Sequence, residues 1–118
     1  MFKRALSYDD VLLKPRYSSI LSRADIDLSS NLGHGLDLRL PIFSSPMDTI
    51  SDANMAIAMQ KAGSSAIIHR YNTIEEQVRQ VKIVNSMCQD AGYLKIMTGA
   101  AVGVSGDFLE RAHALRSQ

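Results

Sequence analysis

The chain has 118 residues, a formal net charge of +1, 46% hydrophobic and 21% charged residues, which is typical of one globular domain. The near-neutral charge, the absence of tryptophan and the 6% aromatic content disfavour a surface for nucleic acid. No apolar run approaches the ~20 residues that span a bilayer, and the first ten residues lack the apolar stretch of a secretory signal. The single cysteine, Cys88, cannot form an internal disulfide, so we expect a protein of the reducing cytoplasm.

The segment before Pro41 predicts an irregular stretch followed by a β-hairpin. Apolar and polar residues alternate over 25–29 and again over 36–40, on either side of Gly33-His34-Gly35. Period-two alternation flanking a glycine-rich turn is typical of two antiparallel strands with one solvated face. Pro41 cannot donate a ladder hydrogen bond and marks the end of this segment.

Residues 42–118 predict three strands that alternate with three helices. The predicted strands are short apolar runs at 42–45, 66–68 and 96–104, with a loop over 89–95 before the last one. This βαβαβα order indicates a parallel sheet with right-handed crossovers. We therefore predict an α/β fold in which residues 1–41 carry the hairpin and 42–118 form three βα units.

The helix boundaries and buried faces follow from capping residues and apolar spacing. Ser51, Thr73 and Ser105 are the predicted N-caps, Glu76 completes a capping box with Thr73, and Gly63 ends the first helix. Spacing of three and four residues predicts that the buried side chains are Met55, Ala58, Met59 and Ala62, then Ile74, Val78 and Val81, then Phe108, Leu109, Ala112 and Leu115.

The most polar strand exit is the segment Ser44-Ser45-Pro46-Met47-Asp48. Ligands of parallel α/β folds gather at the carboxyl ends of the strands. The hydroxyls of this segment could hydrogen-bond a nucleotide, and the Met47 thioether could pack on a flat base. The alternative is a simple strand-to-helix turn built from serine and proline, with Asp48 near a helix N-terminus.

Two further strand exits carry candidate residues. His69-Arg70 could stack on or bind an anionic cofactor, or could be solvated polar residues at a helix entrance. Gly99-Ala100-Ala101-Val102-Gly103 permits close backbone approach but lacks the spacing of a GxGxxG dinucleotide motif. Its small residues could equally line a crowded interior, with Ile67, Ala100 and Val102 facing inward.

The remaining titratable residues indicate neither a metal site nor a catalytic group. The three histidines lack ligand spacing, and the adjacent Asp9-Asp10 is not a positioned acid–base pair. Cys88 lies late in a helical pattern, away from any strand exit, which favours an unreactive thiol.

The ordered motifs together resemble the family of inosine-5'-monophosphate dehydrogenases and guanosine-5'-monophosphate reductases. The match runs along nearly the whole chain. It is carried by Ser7-Tyr8-Asp9-Asp10-Val11-Leu12-Leu13-Lys14-Pro15, Asp25-Ile26-Asp27-Leu28-Ser29, Ser44-Ser45-Pro46-Met47-Asp48-Thr49, Met55-Ala56-Ile57-Ala58-Met59, Ile67-Ile68-His69-Arg70, Ile74-Glu75-Glu76-Gln77 and Gly99-Ala100-Ala101-Val102-Gly103.

The resemblance implies the N-terminal part of a (β/α)8 barrel, which typically needs about 250 residues. It implies that Ser45, Met47 and Asp48 belong to the substrate nucleotide site. It also implies that His69 and Arg70, with Val104 and Ser105, lie on the side of the cofactor, which is NAD in a dehydrogenase and NADPH in a reductase. The family's cysteine loop, phosphate loops and monovalent-cation site have no counterpart in these 118 residues. A short loop stands where dehydrogenases usually insert regulatory cystathionine-β-synthase-type domains.

Three functional interpretations remain open on the sequence. The run Ser44-Ser45-Pro46-Met47 resembles dehydrogenases, whereas Ser22-Arg23 is closer to reductases. We favour the dehydrogenase, which oxidises inosine monophosphate with NAD. A non-catalytic split-gene fragment that assembles with a C-terminal half is the third interpretation. A three-stranded barrel piece has two open edges, so we expect it to self-associate or to bind the missing half.

Overall fold

A computed structural model describes residues 3–90 and 98–118 of the chain as a mixed α/β structure. Within these residues, five strands and three helices follow in the order β1 (Ser30–Asn31), β2 (Asp37–Leu38), β3 (Phe43–Ser44), α1 (Ala53–Lys61), β4 (Ser65–Ile68), α2 (Ile74–Asp90), β5 (Gly99–Ala100) and α3 (Phe108–Arg116). The predicted order of elements is therefore confirmed. Strand β3 is shorter than predicted, β4 begins one residue earlier, and β5 ends four residues earlier. Of the predicted loop over 89–95, residues 89 and 90 are instead helical, because α2 continues to Asp90. Residues 91–95 and the start of the last predicted strand at 96–97 lie outside the described residues.

Residues 3–29 form an exposed N-terminal arm with two single 3-10 turns at Tyr8–Asp10 and Arg23–Asp25. Its apolar side chains are uncovered, and Leu12 and Leu13 are 98% and 99% exposed. The radius of gyration is 17.8 Å, well above the about 13.5 Å of a compact domain of this length. The arm therefore contributes nothing to the apolar core.

The predicted hairpin is confirmed between β1 and β2, which pair antiparallel with Ser30 opposite Leu38. Its turn holds three consecutive residues at positive φ, with His34 at 52° between Gly33 and Gly35. The predicted alternation over 25–29 forms no strand, because that stretch has no pairing partner and is exposed. Leu38 alone in the hairpin becomes buried, at 1% exposure.

The strands β3, β4 and β5 form a parallel sheet with β4 in the centre. Paired residues face the same side, so Ile67 shares one face with its partner Gly99, while Ile68 and Ala100 share the other. Ala100 packs on the helix-side core with Ile68, and the prediction that it faces inward with Ile67 is wrong. Within the described residues, β3 and β5 each pair only with β4.

Helix α1 begins one residue later than the sequence predicts. Its N-cap is Asp52, whose Oδ1 accepts a hydrogen bond from the Met55 N–H at 2.9 Å, and Ser51 is instead fully buried. The buried face is Ala53, Ala56 and Gln60. The predicted buried face is wrong, because the helix is rotated about its axis relative to the prediction. Ala58 and Ala62 are exposed, and Met55 and Met59 are only partly buried.

Helix α2 has the predicted cap, since Thr73 Oγ1 accepts from the Glu76 N–H at 3.2 Å. The Glu76 carboxylate, however, bonds Arg79 rather than closing the capping box. The predicted Val81 is buried, with Gln77, Gln80 and Val84 beside it. The other predicted members of this face, Ile74 and Val78, are partly buried in a groove toward α3.

Helix α3 departs most from the sequence prediction. Its N-cap is Asp107 rather than Ser105, and its buried residue is Arg111. Of the predicted apolar face, Leu115 packs against the core and Phe108 is partly buried, whereas Leu109 and Ala112 are exposed. A buried arginine replaces an apolar stripe because it bonds polar groups of two loops, as described below.

Candidate ligand site at the carboxyl edge of the sheet

The loop after β3 is fixed from beneath by Ser51. The Ser51 hydroxyl donates to the Ser45 carbonyl and lies 2.7 Å from the Ser44 hydroxyl, while the Ser51 carbonyl accepts from the His69 N–H at 3.2 Å. One buried serine therefore joins the exits of β3 and β4. The Ser44 hydroxyl is buried and already bonded to Ser51, so the interpretation that it binds a ligand is not supported.

The rest of this loop presents its side chains to solvent. The Met47 N–H donates to the Ser45 carbonyl at 2.7 Å, and the Met47 carbonyl accepts from Ile50 and Ser51, each at 3.0 Å. Asp48 Oδ1 accepts from the Thr49 N–H at 3.0 Å. Ser45, Met47 and Asp48 are exposed, so a hydroxyl, a thioether and a carboxylate stand on a backbone that is fixed by hydrogen bonds.

Replacing Ser51 with alanine should loosen this loop. The substitution removes a buried donor and deprives the buried Ser44 hydroxyl of its partner, while the Ser45 carbonyl retains the Met47 N–H; we expect this to cost about 1–3 kcal/mol of unfolding free energy. Urea denaturation followed by circular dichroism measures the loss. The matched control is Ser22→Ala, which removes a hydroxyl that accepts from the exposed Ala24 N–H; equal losses in the two variants would contradict the role of Ser51.

The loop after β4 holds a buried imidazole and an exposed cation. His69 is 7% exposed and its Nδ1 accepts from the Tyr71 N–H at 3.2 Å. The rings of His69 and Tyr71 are near-parallel at 19° with centroids 6.4 Å apart, and the Arg70 guanidinium carbon lies 5.6 Å from the Tyr71 ring centroid. Of the two predicted residues, Arg70 is presented to solvent and His69 supports the loop from inside.

The loops after β4 and β5 meet at Gly103. A Cβ on Gly103 would lie 3.1 Å from Arg70 Nη1, so the guanidinium packs close to the Gly103 backbone and would have to shift slightly to admit a side chain there. At the base of the strand, a Cβ on Gly99 would lie 3.2 Å from the Ile67 side chain. Val104, 93% exposed, and Ser105 follow at the rim. The small residues thus serve close packing at Gly99 and leave space for a cation at Gly103.

A buried hydrogen-bond network lies under these two loops. The Gln77 amide nitrogen donates to the Ile68 and Ala101 carbonyls at 3.3 and 2.9 Å. Arg111 Nη1 donates to Gln77 Oε1 at 2.9 Å. Arg111 Nη2 donates to the Asn72 carbonyl at 3.0 Å. Neither Gln77 nor Arg111 was predicted from the sequence; the available signal was a polar residue at an inward position of each helical pattern.

Carboxylates near this network have lowered pKa values, among them Asp107 and Glu76. Hydrogen bonds from Arg111 lower the pKa of Asp107, and the charges of Arg111 and Arg70 add to the effect. Hydrogen bonds from Arg79 and then Gln80 lower the pKa of Glu76 from 4.5 to about 2. Both carboxylates therefore ionise more readily in the folded chain than in the unfolded one.

Acidification should consequently destabilise the fold through these two groups. A depressed pKa contributes stability above the unfolded value, and that contribution is lost as pH falls. For Glu76 the loss runs from pH 4.5 down to about 2. We expect the thermal midpoint to fall across this window and the fall to be shallower in Glu76→Gln. Differential scanning calorimetry at several pH values measures the slope; an unchanged slope would contradict the assignment.

The predicted site residues thus lie on three loops that leave a parallel sheet at one edge. Among the helices of the described residues, none is both long and apolar enough to cross a membrane. In residues 3–90 and 98–118, no three histidine, cysteine or acidic residues converge as a metal site would require. The arrangement defines an α/β protein with a candidate ligand site at the carboxyl ends of its strands.

Comparison with known proteins gives the family. The IMP dehydrogenase / GMP reductase domain matches residues 5–118. Inosine-5'-monophosphate dehydrogenase of Nitrosopumilus maritimus (strain SCM1) is 46% identical over 80 residues, which are 68% of this chain and 17% of that protein. The Bacillus subtilis (strain 168) enzyme of the same name is 47% identical over 79 residues, 67% of this chain and 16% of that protein. The Methanocaldococcus jannaschii enzyme is 46% identical over 82 residues, which are 70% of this chain and 16% of that protein.

The chain therefore belongs to the IMP dehydrogenase / GMP reductase domain family, as the sequence motifs indicated. The aligned stretches amount to only 16–17% of the length of these relatives. They correspond to the N-terminal part of the relatives.

Proposed function

We propose that this chain supplies the first three βα units of a (β/α)8 barrel that oxidises inosine monophosphate to xanthosine monophosphate with NAD. The observation that carries the proposal is the loop after β3. Its backbone is held by Ser51 and by hydrogen bonds at Met47, while the side chains of Ser45 and Met47 remain free at the sheet edge. The family match and the dehydrogenase relatives support the same reaction.

Each residue of this loop has a part in holding the purine nucleotide. The Ser45 hydroxyl can donate to or accept from the nucleotide, and the 47% exposed Met47 side chain can pack on the flat purine. Asp48 holds the turn through the Thr49 N–H. No group among these three acts on the reacting carbon, so their contribution is binding and orientation.

The loops after β4 and β5 fit one side of a dinucleotide. Arg70 offers a cation at the rim, the 67% exposed Tyr71 ring offers a stacking face, and Ser105 adds a hydroxyl. The side-chain amide of Asn72, in the same loop, is buried without a hydrogen-bond partner among the described residues. We assign NAD to this side, where it supplies the hydride acceptor when bound, with His69 supporting the loop and Val104 at its edge.

The barrel interpretation requires the rest of the enzyme. The described sheet leaves β3 and β5 each with one unpaired edge, the N-terminal arm exposes its leucines, and Phe43 is 41% exposed. We propose that the missing strands of the barrel cover these surfaces, in a cytoplasmic enzyme, and that the isolated chain self-associates through them.

The isolated chain should show no turnover, because it contains no counterpart of the family's nucleophilic cysteine loop. Absorbance at the NADH band, with inosine monophosphate and NAD present, tests this directly. Calorimetry should likewise show binding of inosine monophosphate weaker than micromolar, since the phosphate loops are absent. NADH production or micromolar binding by the chain alone would contradict the proposal.

Co-expression with the remaining barrel of its enzyme should restore NAD-dependent oxidation of inosine monophosphate. Met47→Ala in that assembly should raise the KM for the nucleotide by about tenfold, because a packing face on the base is lost. Met87→Ala, an exposed position on α2, is the matched control. NADPH-dependent deamination of guanosine monophosphate would instead identify a reductase, and assembly without either activity would identify a non-catalytic fragment.

A further inference from the structure

We propose that Arg111 is a positioning residue that sets the loops after β4 and β5 against each other and thereby places Arg70 on the cofactor side; the proposal rests on the function proposed above. Arg111 lies on α3 and is 6% exposed, so almost none of its surface can meet a ligand. Its influence on a ligand would therefore act through the loops that it holds.

The guanidinium of Arg111 bonds both loops at once. Nη2 donates to the Asn72 carbonyl at 3.0 Å, in the loop after β4. Nε and Nη2 donate to Asp107 Oδ2 at 3.2 and 2.7 Å, at the end of the loop after β5. These contacts span 39 and 4 residues of sequence. A planar group with fixed donors is suited to such a bridge, and a lysine ammonium is not.

Gln77 extends the same bridge into the sheet. Its amide nitrogen donates to the carbonyls of Ile68, which precedes the β4 loop, and Ala101, which follows β5, while its oxygen accepts from Arg111. The exits of both strands are thereby tied to one buried amide, whose oxygen is oriented by the arginine. Rotation or withdrawal of Arg111 would release the two loops together.

The hydrogen-bond network of Arg111 is connected to Arg70 by a charge interaction at Asp107. The Asp107 carboxylate is bonded by Arg111 and also feels the charge of Arg70, whose Nη1 lies beside Gly103. Arg111 thus fixes the Asp107 carboxylate and, through Gln77, the Ala101 carbonyl two residues before Gly103, so two groups close to the Arg70 cation depend on it. An error in that placement would weaken recognition of an anionic cofactor more than recognition of the nucleotide at Met47.

The first test measures the distance between the two loops. Nitroxide labels are attached to Tyr71→Cys and Ser105→Cys in a Cys88→Ser background. The labelled chain is diluted with unlabelled chain and measured by double electron–electron resonance. Arg111→Lys should broaden the distance distribution and shift its mean, whereas Arg79→Lys, which alters an exposed ion pair on α2, should leave it unchanged. An unchanged narrow distribution in Arg111→Lys would overturn the proposal.

A second variant covers the case in which Arg111→Lys does not fold. Asp107→Asn keeps the bonds of Arg111 to Gln77 and Asn72 but weakens its bond to the loop after β5, so the distribution should again broaden. In the completed enzyme, Arg111→Lys should raise the KM for NAD about tenfold or more with the KM for inosine monophosphate unchanged, as expected for misplacement at a distance.

The positioning role of Arg111 and the proposed dehydrogenase function can each be contradicted without the other. The distance measurement needs no nucleotide, so it decides the positioning role even if the completed assembly oxidises no inosine monophosphate. An active assembly in which Arg111→Lys raises both KM values equally, or neither, would leave the proposed function standing and overturn the specific role of Arg111.

Discussion

Replacing Arg111 with methionine is expected to lower the free energy of unfolding by about 3 kcal/mol, the largest stability loss that we predict for one side chain. Methionine retains most of the buried apolar stem but removes the donors to Gln77 Oε1, the Asn72 carbonyl and Asp107. The Gln77 oxygen is buried and water cannot readily replace the lost partner. Urea denaturation at pH 7 measures the difference.

The matched control is Arg79→Met on the neighbouring helix. Arg79 also bonds a carboxylate, Glu76, at 2.7 Å, but its side chain is 63% exposed. An exposed pair contributes at most about 1 kcal/mol, so this variant should lose much less stability. Similar losses in the two variants would show that burial of Arg111 contributes nothing beyond an ordinary surface ion pair.

Replacing Gly63 with alanine is expected to cost about 2–3 kcal/mol, because two penalties act at one position. Its φ of 83° carries a strain of about 1–2 kcal/mol for a residue with a side chain. A Cβ there would also lie 2.6 Å from Arg39 Nε and 2.9 Å from Arg39 Cβ. The Arg39 backbone cannot simply move away, because its N–H donates to the Gly63 carbonyl at 2.9 Å.

Gly33→Ala separates the two penalties. Gly33 has nearly the same φ, 85°, but a Cβ there would meet nothing within 4 Å. The stability lost in Gly33→Ala should therefore measure backbone strain alone. The additional stability lost in Gly63→Ala should measure the contact with Arg39. Thermal and urea denaturation of both variants measure the difference; equal losses would contradict the steric part of the argument.

Local signals in the sequence were sufficient to predict the order of elements. Gly63 ends α1 and Thr73 begins α2 as predicted, because caps and C′ glycines depend on nearby backbone geometry. The hairpin turn at Gly33-His34-Gly35 was predicted for the same reason. The order βαβαβα followed from these boundaries and from short apolar runs.

The buried faces could not be predicted because they depend on tertiary contacts. Counting apolar residues placed Ala58 and Leu109 inside, but both are exposed, while Gln77 and Arg111 are buried. Polar side chains occupy these positions because carbonyls at the strand ends require donors, and periodicity contains no information on where those carbonyls lie. Ser51 was mistaken for a cap on similar grounds, since its hydroxyl bonds the end of β3 at Ser44 and Ser45 rather than the first turn of α1.

Hydrogen exchange on the completed barrel tests most directly whether these strand exits form the nucleotide site. Peptides covering 44–51 should gain protection when inosine monophosphate is added, and peptides covering 69–72 and 101–107 should gain it when NAD is added. The groove between α2 and α3, lined by Ile74, Val78 and Ala114, should be unaffected by either. Protection confined to that outer groove, or absent from 44–51 under saturating nucleotide, would contradict the account.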